Sequence, residues 1–161
     1  MIDCEVGPIK VSVIIPVYRV EQYIERCVRS LMNQTLKEIE FIFVDDCSPD
    51  SSIDRLEYVL RDYPQRKYSI KIIRNTVNKG LSESRRIGIE HAIGSFIATC
   101  DSDDWVEPDM YERLYMSVEK ENADIAVCNY YQEFCGGHKE WRFDYSTNTH
   151  ICLSQIHDNH C

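Results

Sequence analysis

No stretch of this 161-residue chain is apolar over the roughly 20 residues that a membrane-crossing helix needs. Its first residues lack the basic and apolar regions of a secretory leader, so a cytosolic, reducing setting is expected. An excess of positive charge is missing too: 18 Lys and Arg face 27 Asp and Glu, for a formal net charge of −9. That balance argues against a nucleic-acid backbone or an anionic lipid surface as the main partner. Two phosphate-binding signatures are also absent. No Gly-x-Gly-x-x-Gly follows the first apolar run, which disfavours a dinucleotide site, and no glycine-rich loop ending in Gly-Lys-Ser/Thr is present, which disfavours a P-loop. Pro16-Val17-Tyr18-Arg19, just after that run, is not the glycine-rich basic loop of a nucleotidyltransferase either. There is no internal repeat, low-complexity tract or linker, and the length suits one domain with a real core.

Cysteine, by contrast, is plentiful: Cys4, Cys27, Cys47, Cys100, Cys128, Cys135, Cys152 and Cys161. Several fall inside expected buried elements, where a free thiol behaves as a small hydrophobe. His138, His150, His157 and His160 add metal-capable side chains to the tail, yet the spacing matches no zinc module. Reduced, structural cysteines are expected.

Apolar periodicity alternates along the chain between strand and helix repeats. Strands are expected at 11–15, ended by Pro16, then at 39–44, 69–73, 95–100 and 124–131. Tyr23, Ile24, Cys27, Val28 and Leu31 recur at helical spacing between the first two. Residues 48–52 form a turn and cap cluster before a helix with Ile53, Leu56, Leu60 and Tyr63 on one side, closed by Pro64. A third helix follows the Asn78-Lys79-Gly80 turn and carries Ser84, Gly88 and Ala92 as a small-residue face for close packing on a sheet. Pro108 suits the first turn of a fourth helix bearing Met110, Leu114 and Val118. This βαβαβαβαβ order predicts an α/β fold, a mostly parallel Rossmann-like sheet with right-handed crossovers and flanking helices. Gly136-Gly137 is placed to turn a hairpin between Tyr130-Tyr131 and residues 141–143, whereas 146–161 show no clear period. Residues 1–134 are expected as the domain, and 135–161 as a partial or irregular tail.

The chemistry gathers where the apolar runs stop. The fourth strand ends in Asp101-Ser102-Asp103-Asp104, three carboxylates that repel one another. One acid would serve as a cap for the next helix, but three beside a strand end exceed that need. A hard divalent cation, Mg²⁺ or Mn²⁺, offsets such charge while held by one or two carboxylates and substrate phosphates. The second strand ends in Asp45-Asp46, and parallel strands bring both clusters to the edge where open α/β sheets bind ligands. Pro16-Val17-Tyr18 reaches the same edge. An aromatic wall, a hydrogen-bond acceptor and a metal post suit a nucleoside diphosphate: Tyr18 packs on the base, Asp46 accepts from a base N–H, and the cation bridges the phosphates.

In order, Val13-Ile14-Ile15-Pro16-Val17-Tyr18, Val44-Asp45-Asp46-Cys47-Ser48-Pro49-Asp50, Asn78-Lys79-Gly80-Leu81-Ser82 with Arg85, Asp101-Ser102-Asp103-Asp104 and Pro108-Asp109 resemble the family 2 glycosyltransferases of GT-A fold. The likeness covers about residues 11–129. It implies inverting transfer of a sugar from a nucleotide-diphosphate donor, with a UDP-sugar expected, to a saccharide or lipid-linked hydroxyl acceptor. It implies a base and ribose pocket at Pro16, Val17 and Tyr18, and reading of the pyrimidine edge by Asp46 with Asp45 structural. Asn78 and Arg85 would approach the base or the diphosphate. Asp101 would lie near ribose and metal, with Ser102 beside it, Asp103 as the direct ligand and Asp104 in support. Glu21 is a further candidate for the cleft.

Two positions depart from the family, which commonly has Asn where this chain has Arg19 and Arg86. The acceptor-binding half and catalytic base lie downstream of the acid motif in that family, where only a few dozen residues follow here. Glu133, Glu140, Asp144 and Asp158 are available acids, but none sits in a base motif, so the general base is unassigned. The acceptor half is therefore expected to be missing, and a nucleotide-sugar-binding domain without transferase activity is the alternative. The expected location is cytoplasmic, with peripheral attachment at the inner face of the cell membrane as an option from the resemblance.

Overall fold

The computed structural model describes residues 7–134 and 137–141. Four strands, β1 (Val11–Val17), β2 (Ile39–Asp45), β3 (Ile70–Arg74) and β4 (Phe96–Thr99), form one sheet in the order β3-β2-β1-β4. All three pairings are parallel. Crossover helices α1 (Ile24–Met32), α2 (Ser52–Leu60) and α3 (Leu81–Glu90) join them, and α4 (Met110–Glu121) follows β4.

Burial explains the two central strands. Every residue of β1 and β2 is buried, as expected for strands covered on both faces. Alternation then assigns the faces. Val13, Ile15, Val17, Phe41 and Phe43 join Ile24, Cys27, Val28 and Leu31 of α1, Leu56 and Val59 of α2 and Tyr111 of α4 in the larger core. Ile14, Ile42 and Val44 face the other way, onto Ile87 of α3. The small-residue face of α3 is real: Ser84 is buried, and a Cβ on Gly88 would collide with Ile14 Cγ2. Ala92 packs against the same cluster from just beyond the helix end.

The helices change sides because the chain changes direction. β1, β2 and β3 step one way across the sheet with α1 and α2 on one face. The return from β3 to β4 steps past β2 and β1, so a right-handed crossover puts α3 on the opposite face. The reversal opens a switch point between the carboxyl ends of β1 and β4, where such sheets bind ligands.

Several boundaries differ from expectation. Pro16 lies inside β1, opposite Val44, and does not end it. The Ile14 carbonyl accepts from Cys100 N–H and the Val17 carbonyl from Asp46 N–H, so even residues of β1 bond toward β4 and odd ones toward β2. Pro16 therefore aims its missing N–H past the end of β4, where no ladder partner is lost. Tyr23 precedes α1 and is exposed, outside the core. Tyr63 follows the end of α2, and Pro64 opens a short 3-10 turn, Pro64–Ser69.

The expected fifth strand of the parallel sheet is corrected. Residues 124–129 form no strand, and β5 (Tyr130–Phe134) pairs antiparallel with β6 (Gly137–Trp141). A strand forms only where a neighbour completes its backbone hydrogen bonds. The local hairpin supplies that from Tyr130 onward, with Trp141 opposite as anticipated. The apolar run at 125–127 instead borders a cavity of about 320 Å³ with Phe96, Leu114 and Val118. The tail residues Cys135, His150, Cys152, His157, His160 and Cys161, and the acids Asp144 and Asp158, lie outside the described residues.

Candidate functional site

The site edge is assembled by loops that hold one another. Arg19 N–H donates to Ser48 Oγ at 2.8 Å, Val20 N–H to Ser52 Oγ at 2.9 Å and Glu21 N–H to Asp50 Oδ2 at 3.2 Å. In return Ser51 N–H donates to Glu21 Oε2 at 3.0 Å. Asp50 Oδ1 collects both the Ser48 and Ser52 hydroxyls at 2.6 Å. Burial pushes the Asp50 carboxyl up, but these bonds outweigh it and bring the pKa down to about 2. Glu21 thus binds the start of α2, while Asp45 Oδ1 accepts Ser48 N–H at 2.9 Å. The loop after β1 and the loop after β2 form one polar unit.

Asp46 is buried at the foot of the next loop. It accepts from Asn75 Nδ2, Lys79 N–H and Gly80 N–H, each at 2.8 Å. Burial opposes its charge, yet these donors hold its pKa below the usual carboxylate value. Gly80, with φ of 86°, makes the turn into α3 that brings the two amides onto one carboxylate. Asn78 rides exposed on this loop.

Across the switch point stands the acid turn. Asp104 N–H donates to the Asp101 carbonyl at 3.0 Å, closing it. Ser102 and Asp104 are buried, whereas Asp101 and Asp103 are half-buried. Arg85 of α3 reaches Asp101 Oδ1 through Nη2 at 2.6 Å, and its own buried Nε has no acceptor among the described residues. Burial first, then the charges of Asp103 and Asp101, push the Asp104 carboxyl up to about 8. None of these acids caps a helix, because α4 begins only at Met110.

That environment fits a divalent cation. Negative charge gathers at the turn, where the carboxylates of Asp103 and Asp101 add to burial in raising the Asp104 carboxyl. Among the described residues no three His, Cys, Asp or Glu side chains form a cage of their own. Mg²⁺ and Mn²⁺ sites of this kind need few protein ligands, since substrate phosphates complete them.

The sequence-predicted residues fall into three groups. Tyr18, Asp101 and Asp103 present partly exposed side chains at the edge, and Arg85 joins them through Asp101. Tyr18 is 39% exposed, with the Arg19 guanidinium 5.3 Å from its ring centre. Pro16, Val17, Asp46 and Ser102 are buried, and Val17 turns its side chain into the core, so its backbone alone reaches the edge. Glu21 and Asn78 sit on the flanking loops. Asn75, directly after β3, has a large structural role with no sequence signal, whereas Asp50 lies in the 48–52 turn and cap cluster and acts there as its hydrogen-bond centre.

A family model described as Glycosyl transferase family 2 matches residues 12–160. The uncharacterized glycosyltransferase EpsJ of Bacillus subtilis is 41% identical over 123 residues, 76% of this chain and 34% of EpsJ. The putative glycosyltransferase EpsH of the same organism is 43% identical over 124 residues, 77% of this chain and 34% of EpsH. The chain therefore spans about a third of the length of these relatives. Among solved structures, TarS 1-349 of S. aureus in complex with UDP superposes with a TM-score of 0.65 at 26% identity, over 78% of this chain and 35% of that one. A complex of the same TarS fragment with UDP-GlcNAc matches with the same TM-score and identity, over 78% of this chain and 34% of that one.

Proposed function

The chain belongs to glycosyl transferase family 2, and on that footing we propose that it binds a nucleotide-diphosphate sugar across the β1/β4 switch point, for transfer of the sugar to a hydroxyl acceptor. The observation that carries this reading is the placement of the acid turn and the Asp46 loop on either side of Tyr18, at the carboxyl edge of the sheet. Tyr18 offers a ring face for the base. Asp46 holds the loop that carries Asn78, and so shapes the base pocket as well as offering its edge. The two TarS complexes support a uridine nucleotide.

Asp103, with Asp101, would hold Mg²⁺ or Mn²⁺ against the diphosphate. Bound there, the ion would supply Lewis-acid stabilisation of the departing nucleoside diphosphate. Arg85 adds fixed positive charge beside Asp101 and orients that carboxylate. An acceptor hydroxyl on a saccharide or lipid-linked glycan would attack the anomeric carbon from the face opposite the diphosphate. The transition state is expected to be oxocarbenium-like.

Calorimetry with UDP tests the donor site. We expect tighter binding with Mn²⁺ than without, and loss of that difference in Asp103→Ala. Equal affinity in both conditions would sink the cation role. A second reading, donor binding without turnover by this chain alone, is kept because the chain spans about a third of EpsJ. UDP release from UDP-GlcNAc that depends on an added acceptor would exclude it.

A further inference from the structure

The acid turn does not hold itself in place. Between β4 and α4 the segment 101–109 contains no regular element, only turns at 102–103 and 108–109, and most of its anchors come from α1 and the residues just after it. Arg26 lays its guanidinium 4.6 Å from the centre of the Trp105 ring. Cys27 Sγ donates to the Asp101 carbonyl at 3.8 Å. Ser30 Oγ accepts Val106 N–H at 3.2 Å while donating to the Cys27 carbonyl at 2.8 Å. Gln34 Nε2 donates to the Glu107 carbonyl at 2.7 Å, and its Oε1 accepts Tyr111 N–H at 3.3 Å. Thr35 N–H donates to the Pro108 carbonyl at 2.8 Å.

Spacing makes these contacts one device. Positions 26 and 27 lie four and three residues before 30, and 30 lies four before 34, so they project along one side of the helix and its continuation. Gln34 is buried and does the work of an N-cap for α4, because Asp109, at the cap position, makes no side-chain capping bond. The backbone around Gln34 is itself fixed. The buried Arg66 guanidinium collects the carbonyls of Met32, Gln34 and Leu36 at the carboxyl end of α1. Cations are favoured at that end by the helix dipole.

We propose that α1 is the template for the acid turn, with Ser30 and Gln34 as positioning residues that set where Asp101 and Asp103 stand, and hence how well the turn takes a divalent cation with a nucleoside diphosphate. The proposal rests on the cation reading above. Partners that orient metal ligands are commonly worth about 10–100-fold in metal affinity. Ser30 and Gln34 act through hydrogen bonds to the backbone of this segment that are partly or fully buried, so it cannot shift without breaking them.

The test uses the whole chain with Ser30→Ala, Ser30→Thr and Gln34→Met, each checked for cooperative melting. Gln34→Met fills the same space without the amide, so packing and hydrogen bonding are separated. Hydrogen exchange should quicken by about tenfold at the amides of 101–106 in Ser30→Ala and Gln34→Met, and stay unchanged in the 75–80 loop. Calorimetry should show the Mn²⁺-dependent gain in UDP affinity falling by about tenfold, with metal-free UDP binding unchanged and Ser30→Thr restoring the gain. Unchanged exchange at 101–106, or an unchanged Mn²⁺ gain in a folded variant, overturns the proposal. A parent protein that shows no Mn²⁺ gain overturns the cation reading itself, and the exchange measurement still decides whether α1 holds the turn.

Discussion

Arg19 holds a φ of 55°, left-handed territory that costs most side chains about 1 kcal/mol. Asparagine tolerates it, which gives a backbone reason for the Asn usual in the family at this position. The Arg side chain recovers part of the cost by stacking on Tyr18. Arg19→Asn is expected to raise stability by about 0.5–1 kcal/mol in urea unfolding. A lower midpoint would mean that the Tyr18 contact outweighs the backbone strain. Single side chains were only partly legible from the sequence. The position of Tyr18, Asp101 and Asp103 at the sheet edge is legible because each comes just after a strand. Val17 misled because strand alternation, and not motif membership, decides which way a side chain points. Asn75 and Gln34 escaped because their roles depend on partners 29 and 73 residues away.

At the scale of elements, helix and strand identity followed from periodicity, and the errors cluster at ends. Pro16 looked like a terminator because its missing N–H is costly in most strands, yet β4 stops short of it. The run at 125–127 looked like a strand because apolar alternation cannot say whether a partner is available. The third helix shows what was readable: Ser84, Gly88 and Ala92 signalled close approach, and Gly88 lies against Ile14. Alanine at an exposed helical glycine gains about 1 kcal/mol. Here Gly88→Ala is expected to lose about 1–3 kcal/mol through overpacking, seen as a lower melting temperature. A variant as stable as the parent would show that α3 can move off the sheet at little cost.

Taken whole, the molecule buries and satisfies carboxylates at both ends of its sheet and leaves others open at one. At the amino end Glu40 is buried and satisfied by the Ser12 hydroxyl at 2.6 Å, Ile93 N–H at 2.8 Å and Lys71 at 2.9 Å. At the carboxyl end Asp46 is satisfied likewise, but Asp101 and Asp103 stay partly open, with Arg85 paired to Asp101. Glu40, Asp46 and Asp50 all have pKa values below their ordinary ones, despite burial that opposes this. At these three groups the folded state binds fewer protons than the unfolded one in the acid range, whereas at Asp104, raised to about 8, it binds more. The stabilisation from the three is complete above the ordinary values, 4.5 for Glu40 and 3.8 for Asp46 and Asp50, and is lost as pH falls, for Asp50 toward about 2. Stability in urea should fall between about pH 4 and 2. Asp50→Asn should cost about 1–2 kcal/mol at pH 7 and show a shallower fall. An unaltered acid limb in that variant would remove Asp50 from the cause.

The bond from Gln34 to Glu107 joins residues 73 apart in the chain, and α2, β2, β3, α3 and β4 all lie between them. Closing so long a loop costs entropy that grows only with the logarithm of its length, about 0.6 kcal/mol per doubling. Lengthening the surface loops within that span should therefore weaken the contact very little. The intervening sequence is free to diversify, in loop length and surface character, while α1 keeps the acid turn at a constant address.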